Sequence, residues 1–209
     1  MKKLLELLNN NKLDELRIEL TKRLLTQNHK SPNLIKAIQS YFKKTPNERP
    51  VLSTIQHDTN NNQFICDGFS LYYFKQQHDE LDALPQSTQD TGSINPTSIL
   101  DTINPTQPIT DDIYHAITNI KNYIAFAKSQ PTYNKKELLT MTLGNSVSFQ
   151  TYILEQLHDI LKATDTLYPN LLVELTPNGL KITNDALKIL ILPVRTTEQD
   201  FTKEFLNME

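Results

Sequence analysis

Glycine, cysteine and tryptophan are scarce in this chain of 209 residues, which has four glycines, one cysteine and no tryptophan. The glycines, Gly68, Gly92, Gly144 and Gly179, stand alone and far apart. Phosphate-binding loops of the P-loop and dinucleotide-fold types need several glycines close together, because the backbone must approach the phosphates. The sequence therefore argues against both of these nucleotide-binding classes.

The single cysteine, Cys66, rules out an internal disulfide framework and is typical of a protein in a reducing compartment. The apolar run at the N-terminus is short, contains Glu6 and ends in asparagines, which does not fit a signal peptide. No stretch reaches the ~20 apolar residues that a membrane span needs. We expect a cytoplasmic protein without a membrane partner, and the formal charge of −3 does not indicate a globally basic nucleic-acid binder.

The most informative segment that is present is Cys-Asp-Gly-Phe-Ser-Leu at residues 66–71, between β-type runs at 49–58 and 71–74. An Asp-Gly pair between such runs favours a hairpin, because glycine adopts positive φ and the short aspartate tolerates tight turns. Pro177-Asn178-Gly179 gives a similar signal later in the chain. Both segments are therefore predicted to be hairpin turns.

Hydrophobic spacing predicts the other elements. A helix over 12–26 carries one stripe made of Leu13, Leu16, Leu20 and Leu24, and a second helix begins at Ser31-Pro32 and ends before Pro46. Further helices are predicted over 111–129 and 152–163, and strands over 51–57, 63–66, 69–75, 146–149, 171–176, 180–183 and 186–194. The order of one helix and three strands thus occurs twice, in 33–75 and 147–195, as a weak internal repeat.

Residues 76–110 have a different character, with four prolines and mainly Gln, Ser, Thr and Asn, and no Lys or Arg occurs from 76 to 120. This composition predicts an acidic insertion that is partly mobile. We expect a helical extension at 1–30, a single domain at 31–195 that carries the insertion and its helix at about 76–130, and a tail at 196–209.

Four segments resemble, in the same order, segments of the bacterial β sliding clamp, the processivity factor of DNA polymerase III. They are 34–38 with Arg-Pro-Val-Leu at 49–52, Cys-Asp-Gly-Phe-Ser-Leu at 66–71, Ser-Phe-Gln-Thr-Tyr-Ile-Leu at 148–154, and Leu-Ile-Leu-Pro-Val-Arg at 190–195. The resemblance implies an α+β fold, a DNA-clamp-like domain of two β-α-β-β-β units with added N-terminal and central helices. The family has three such domains in one chain; a single one suits a phage or mobile-element variant.

The family's two functions imply two candidate surfaces on this chain. Clamp helices contact double-stranded DNA, and the matching basic residues are Lys30, Lys36, Lys43 and Lys44. Clamps also bind peptides of polymerases and repair proteins in an apolar groove between the Asp-Gly segment of one domain and the C-terminal Pro-x-Arg segment of the next. The matching groove positions are Cys66, Gly68, Phe69, Leu71, Leu190, Leu192 and Val194. Both segments lie in one domain here, so the groove would form between two copies.

Several residues have simpler interpretations beside the functional ones. Cys66 is a nucleophile only if its pKa is lowered, and a buried thiol at a strand end is commoner. His57-Asp58 and His78-Asp79-Glu80 lack the fixed spacing of a metal site, which favours solvated loops. The leucine stripe at 13–24 either packs on the same domain or pairs with another chain. Phe201 and Phe205-Leu206 of the tail could occupy the groove or contact a neighbour.

We expect no enzymatic activity, no cofactor and no metal site. The favoured function is a non-enzymatic accessory factor in DNA replication or repair, which acts by self-association, by binding a partner peptide, or both, and contacts DNA without sequence preference. The alternative is a protein-interaction module that keeps the clamp fold without DNA binding, such as a modulator of a host clamp. A small hydrolase or nuclease is the third hypothesis, and no constellation of acid, base and nucleophile favours it.

Overall fold

A computed structural model of the chain describes residues 2–27, 33–44, 50–87, 95–101, 111–144, 147–164, 172–194 and 199–208. Within these ranges the helices are α1 (Lys2–Asn9), α2 (Leu13–Gln27), α3 (Asn33–Lys44), α4 (Pro96–Asp101), α5 (Asp111–Thr118), α6 (Ile120–Ser129), α7 (Thr151–Ala163) and α8 (Thr202–Leu206). The strands are β1 (Gln56–His57), β2 (Gln63–Cys66), β3 (Ser70–Phe74), β4 (Leu139–Leu143), β5 (Val147–Gln150), β6 (Leu172–Thr176), β7 (Gly179–Thr183), β8 (Leu187–Ile191) and β9 (Gln199–Asp200). The α+β class predicted from the sequence is confirmed.

The main sheet has six strands in the order β1-β2-β3-β8-β7-β6, and every neighbouring pair is antiparallel. Both predicted hairpins are present, β2 with β3 and β6 with β7. In the second, Thr176 pairs with Gly179, so Pro177 and Asn178 are the two loop residues.

The predicted repeat of one helix and three strands is present, as α3 with β1–β3 and as α7 with β6–β8. The copies join at the centre of the sheet, where Tyr72 of β3 lies opposite Ile189 of β8. α3 and α7 pack against each other over this junction. β5 runs directly into α7, whereas residues 28–32 before α3 lie outside the described residues. The specific assignment to the clamp fold stays a prediction.

The two faces of the sheet have separate apolar clusters, because successive side chains of a strand point to opposite faces. Tyr72, Phe74 and Ile189 belong to the large core beneath α3 and α7. The neighbouring residues along the same strands point to the other face and form a smaller cluster, which α4 covers. This cluster contains Leu71, Tyr73 and Leu190. This second cluster matters for the candidate site.

A three-stranded sheet, β5-β4-β9, attaches the C-terminal segment to the body. β9 pairs in parallel with β4, and Phe205 of α8 makes aromatic contacts with Tyr123 and Phe126 of α6. The tail aromatics therefore pack within their own chain, and the hypothesis that Phe205 occupies the groove does not match this packing.

Two predicted elements differ in detail. The strand predicted over 51–57 is a 3-10 helix at Pro50–Ser53 followed by the short β1, with the Thr54 hydroxyl donating to the Val51 carbonyl at 2.7 Å. The helix predicted over 111–129 breaks at Asn119. There the Thr118 hydroxyl donates to the His115 carbonyl, and the Asn119 side-chain amide bonds to the His115 ring. Side-chain hydrogen bonds of this local kind compete with the hydrogen bonds of the helix, which is why Thr and Asn are disfavoured in helix interiors.

The described part of the insertion is packed against the body. Leu81 and Leu84, at the 3-10 helix Asp79–Ala83, are buried, and α4 follows at Pro96–Asp101. No helix in the described ranges is both long enough and apolar enough to cross a bilayer.

Candidate functional site

The turn between β2 and β3 is organised by the buried carboxylate of Asp67. Its Oδ1 accepts hydrogen bonds from the backbone N–H of Phe69 at 2.8 Å, from that of Ser70 at 2.7 Å and from the Ser70 hydroxyl at 3.0 Å. The Asp67 N–H donates to the Ser70 carbonyl, so the central loop residues are Gly68 and Phe69. Gly68 has φ of +90°, as expected for glycine at the first central position of a type II′ turn. The turn presents Phe69 to solvent.

The end of β8 lies beside this turn. The Leu192 N–H donates to the Phe69 carbonyl at 2.8 Å, and the Val194 N–H donates to the Ser148 carbonyl of β5 at 2.8 Å. Leu192 is exposed and Val194 is partly buried. The two segments that the resemblance assigns to a groove are therefore neighbours within one copy of the chain.

Helix α4 covers part of the candidate groove. Leu100 is buried in the smaller cluster on the outer face of the sheet, together with Phe64, Cys66, Leu71, Tyr73 and Leu190. Three predicted groove residues, Cys66, Leu71 and Leu190, are thus inaccessible while α4 is in place. Gly68, Phe69 and Leu192 stay exposed at the edge of this cluster.

Cys66 has the environment of a structural thiol. Burial is the main cause that raises the pKa of the Cys66 thiol, and the Asp67 charge raises it further. A hydrogen bond from the Gly68 backbone acts in the opposite direction, but the pKa remains above its ordinary value. The thiol is therefore protonated at neutral pH, and the nucleophile interpretation lacks support from its surroundings.

Sequence reasoning missed two tyrosines beside this turn. The Tyr41 hydroxyl, buried on α3, lies 3.2 Å from the Ser70 hydroxyl, and the Tyr72 ring packs edge-on against Tyr41 at 5.5 Å. Burial first, and then the Asp67 charge, raise the pKa values of Tyr41 and Tyr72 well above the ordinary value. Tyr41 continues the apolar stripe of α3, so the periodicity could have placed it in the core.

A basic surface lies on the outer sides of α1, α2 and α3; we define it by Lys3, Lys22, Lys36 and Lys43. The pKa of Lys22 is lowered first by burial and then by the charges of Lys3, Lys36 and Lys43, while Glu19 raises it. Lys3, Lys36 and Lys43 are therefore close enough to act on Lys22, whose ammonium also donates to Gln39 of α3 at 2.5 Å. Lys3 and Lys22 were missed because they lie on other helices.

The predicted DNA-facing lysines differ in their surroundings. Lys36 and Lys43 are exposed, and within the described ranges no ion pair or hydrogen bond holds either. Lys44 pairs with Glu155 of α7 at 3.4 Å, and Lys30 lies outside the described residues. Asp159 of α7 pairs with Lys121 at 2.7 Å. Of the two central helices, α3 thus presents Lys36 and Lys43, and α7 presents one exposed lysine, Lys162, beside its two paired carboxylates.

The acidic and histidine groups near β1 and β3 act in local structure. Both carboxylate oxygens of Asp58 are used in the 58–62 turn, by the backbone N–H groups of Asn60 and Asn62 and by the Asn62 amide and Tyr73 hydroxyl. His78 lies 3.6 Å from Glu80. In the part of the chain that the structure describes, no group of three or more His, Cys, Asp or Glu side chains is arranged to hold a metal ion.

A cavity of about 970 Å³ lies between α5, β4 and α8. Two pairs of its polar lining side chains are bonded, His115 to Asn119 and the Thr142 hydroxyl to Asp200, and Lys203 and Glu204 also line it. Asp200 also accepts from the Thr202 N–H at 2.8 Å. The bonds among Thr142, Asp200 and Thr202 hold the C-terminal segment against β4.

Comparison of the chain with protein-family models, with curated proteins and with solved structures finds no match in any of the three.

Proposed function

We propose that this protein is a non-enzymatic, clamp-like accessory factor in DNA replication or repair that contacts the DNA backbone through α3. The observation that carries the proposal is the pair of helix-and-three-strand units on one antiparallel sheet, with α3 and α7 side by side on one face. The clamp resemblance implies this arrangement for one domain, with the helices toward DNA.

The charges on the two helices define how such contact would occur. Lys36 and Lys43 project from α3 beside Lys22, whereas Glu155 and Asp159 of α7 are held in ion pairs. Phosphate contacts made by lysines are insensitive to base sequence and weaken as salt displaces them. We therefore expect weak, salt-sensitive binding of duplex DNA without sequence preference.

The test is the affinity for a fluorescent duplex at low salt, measured by anisotropy. Replacing Lys36 and Lys43 with Glu should weaken binding by at least about tenfold, because two phosphate contacts become repulsive. A matched control replaces Lys135 and Lys136, exposed on the loop between α6 and β4, with Glu. Equal losses in both variants, or none in either, would contradict a specific role for α3.

A second candidate, a protein-interaction module without DNA binding, is favoured by the exposed pair Phe69 and Leu192. Their backbones are joined by a hydrogen bond, which places two exposed apolar residues next to each other at the end of the sheet. Replacing both with Glu should abolish binding of a labelled clamp-binding peptide from a polymerase and leave the fold intact. If that peptide binds with equal affinity to the variant, this candidate fails.

A further inference from the structure

Three of the four leucines in the α2 stripe, Leu13, Leu20 and Leu24, face solvent, whereas Leu16 is partly buried. Ile18 is the inward residue of α2, whereas Leu13, Leu20 and Leu24 are 58%, 44% and 57% exposed. Leu5 and Leu8 of α1 are each 53% exposed. Of the eleven large apolar side chains exposed among the described residues, five thus lie on these two helices. Exposed leucines concentrated in this way mark an interaction surface.

The two helices form a hairpin that fixes this surface. Asn11, with φ of +55°, turns the chain between them, and the Lys12 N–H donates to the Leu7 carbonyl at 2.9 Å. Lys3 pairs with Glu19 at 3.0 Å on one flank of the hairpin. At 100° per residue, the exposed leucines of both helices lie more than a quarter turn away from that ion pair. The apolar and charged flanks are therefore separate.

We propose that this leucine surface binds a second copy of the chain, with the two α2 helices antiparallel. Leu13, Arg17, Leu20 and Leu24 follow one another at intervals of four, three and four residues, which is the spacing of a coiled-coil seam. In an antiparallel pair, Leu13 lies against Leu24 of the second copy and Leu20 against the aliphatic stem of its Arg17. Every seam position then has an apolar neighbour.

The charges along α2 select the antiparallel direction. Its first turn holds Asp14 and Glu15, and Arg23, which also lies 3.5 Å from Glu19, is near its end; Lys22 is turned toward Gln39 of α3 and takes no part in the pairing. An antiparallel pair places the acidic start of each helix beside the basic end of the other, and it also opposes the two helix dipoles. A parallel pair would place like charges together. The seam intervals of four, three and four residues also read the same in both directions, so the seam is complementary to itself in an antiparallel pair, which identifies a second copy as the partner.

The inference deepens the proposed function, because it names the surface through which copies associate, yet it can fail independently of DNA binding. The first test is the solution mass by light scattering at micromolar concentration. We expect twice the 24.1 kDa of the chain for the natural sequence, and 24.1 kDa for a variant with Leu20→Glu and Leu24→Glu. Both positions are exposed, so the circular dichroism of this variant should be unchanged.

The matched control carries Leu138→Glu and Leu206→Glu, at leucines of similar exposure away from the hairpin, and should remain a dimer. A monomeric natural chain, or a Leu20→Glu, Leu24→Glu variant that remains dimeric, overturns the proposal. DNA binding by the monomeric variant shows that the proposed function stands separately from this inference.

The direction of pairing is tested with single cysteines on the hairpin, because the native Cys66 is buried. A mixture of the Leu13→Cys and Leu24→Cys variants should form a mixed disulfide on mild oxidation, since these positions face each other in the antiparallel pair. The Leu13→Cys variant alone should not cross-link. A strong Leu13→Cys homodimer would overturn the antiparallel arrangement.

Discussion

Asp58 and Asp67 each use a carboxylate to stabilise a turn, and neither is set up for chemistry. Asp67 holds three donors of the β2–β3 turn, and Asp58 holds the 58–62 turn and the Tyr73 hydroxyl. Burial acts to raise the pKa of Asp58, but hydrogen bonds from Tyr73, Asn62 and Asn60 outweigh it, so the pKa lies below its ordinary value. Burial and the Asp58 carboxylate raise the pKa of Tyr73 to about 12, so its hydroxyl remains a donor.

A pH prediction follows for Asp58. Because its pKa is lower in the folded state, its contribution to stability is complete above the unfolded pKa of about 4 and is lost as the pH falls through the folded pKa. Asp58→Asn should lower the free energy of unfolding by about 1 kcal/mol at neutral pH, since asparagine has one acceptor oxygen and cannot serve both the backbone N–H groups bonded to Oδ1 and the Tyr73 and Asn62 groups bonded to Oδ2. In urea titrations, this difference from the natural sequence should shrink below about pH 4.

The control for this measurement is Asp185→Asn, at an exposed carboxylate in the turn between β7 and β8. It should change stability little at any pH. A difference for Asp58→Asn that grows on acidification would show that the carboxylate does not stabilise the turn in its ionised form.

At the scale of elements, α4 decides how much of the candidate groove is accessible. Its Leu100 closes the cluster that contains Cys66. Leu100→Ala should therefore open this face and raise the rate at which a thiol reagent labels Cys66 by about tenfold, because local opening exposes the thiol. Leu206→Ala, on the exposed side of α8, is the control and should label at the natural rate. Equal rates in all three proteins would mean that α4 does not protect Cys66.

The attachment of the C-terminal segment gives a second prediction at this scale. The Tyr123 hydroxyl donates to the Thr140 carbonyl at 2.5 Å and accepts from the Phe201 N–H at 3.0 Å. Tyr123→Phe should cost about 1–3 kcal/mol in urea denaturation, because a buried carbonyl and a partly buried N–H lose their partner. Tyr133→Phe, at a partly buried ring on the loop before β4, should cost much less. Similar costs for the two variants would argue against this attachment.

The sequence predicted elements that have strong local signals. The hairpin at Asp67-Gly68 was found because glycine there adopts positive φ, and α7 because its apolar spacing is regular. α4 was missed, although Asn95 caps it through the Ser98 N–H at 3.2 Å and Pro96 opens it, which are readable signals. That Leu100 returns to the sheet was not predictable, since such long-range packing has no local signature. β9 has only two residues, too few to show the alternation of apolar and polar side chains that marks a strand.

At the scale of the whole molecule, the charge is divided between regions. Residues 76–120 contain no Lys or Arg, whereas α1, α2 and α3 gather Lys3, Lys22, Lys36 and Lys43 on one surface. A net charge of −3 therefore conceals a local basic surface of the kind that contacts phosphates. The exposed leucine surface lies on a separate flank of the same helical hairpin, so a dimer through α2 would place two basic surfaces in one particle and strengthen binding through two contacts.

The salt dependence of duplex DNA binding tests the central proposal most directly. The proposal predicts that the logarithm of the affinity falls linearly with the logarithm of the salt concentration. It also predicts that Lys36→Glu with Lys43→Glu reduces the slope by about two, one for each lost phosphate contact. The natural slope should be kept in the Lys135→Glu, Lys136→Glu control. Binding that is absent at low salt, or a slope that is the same in all three proteins, would contradict the account.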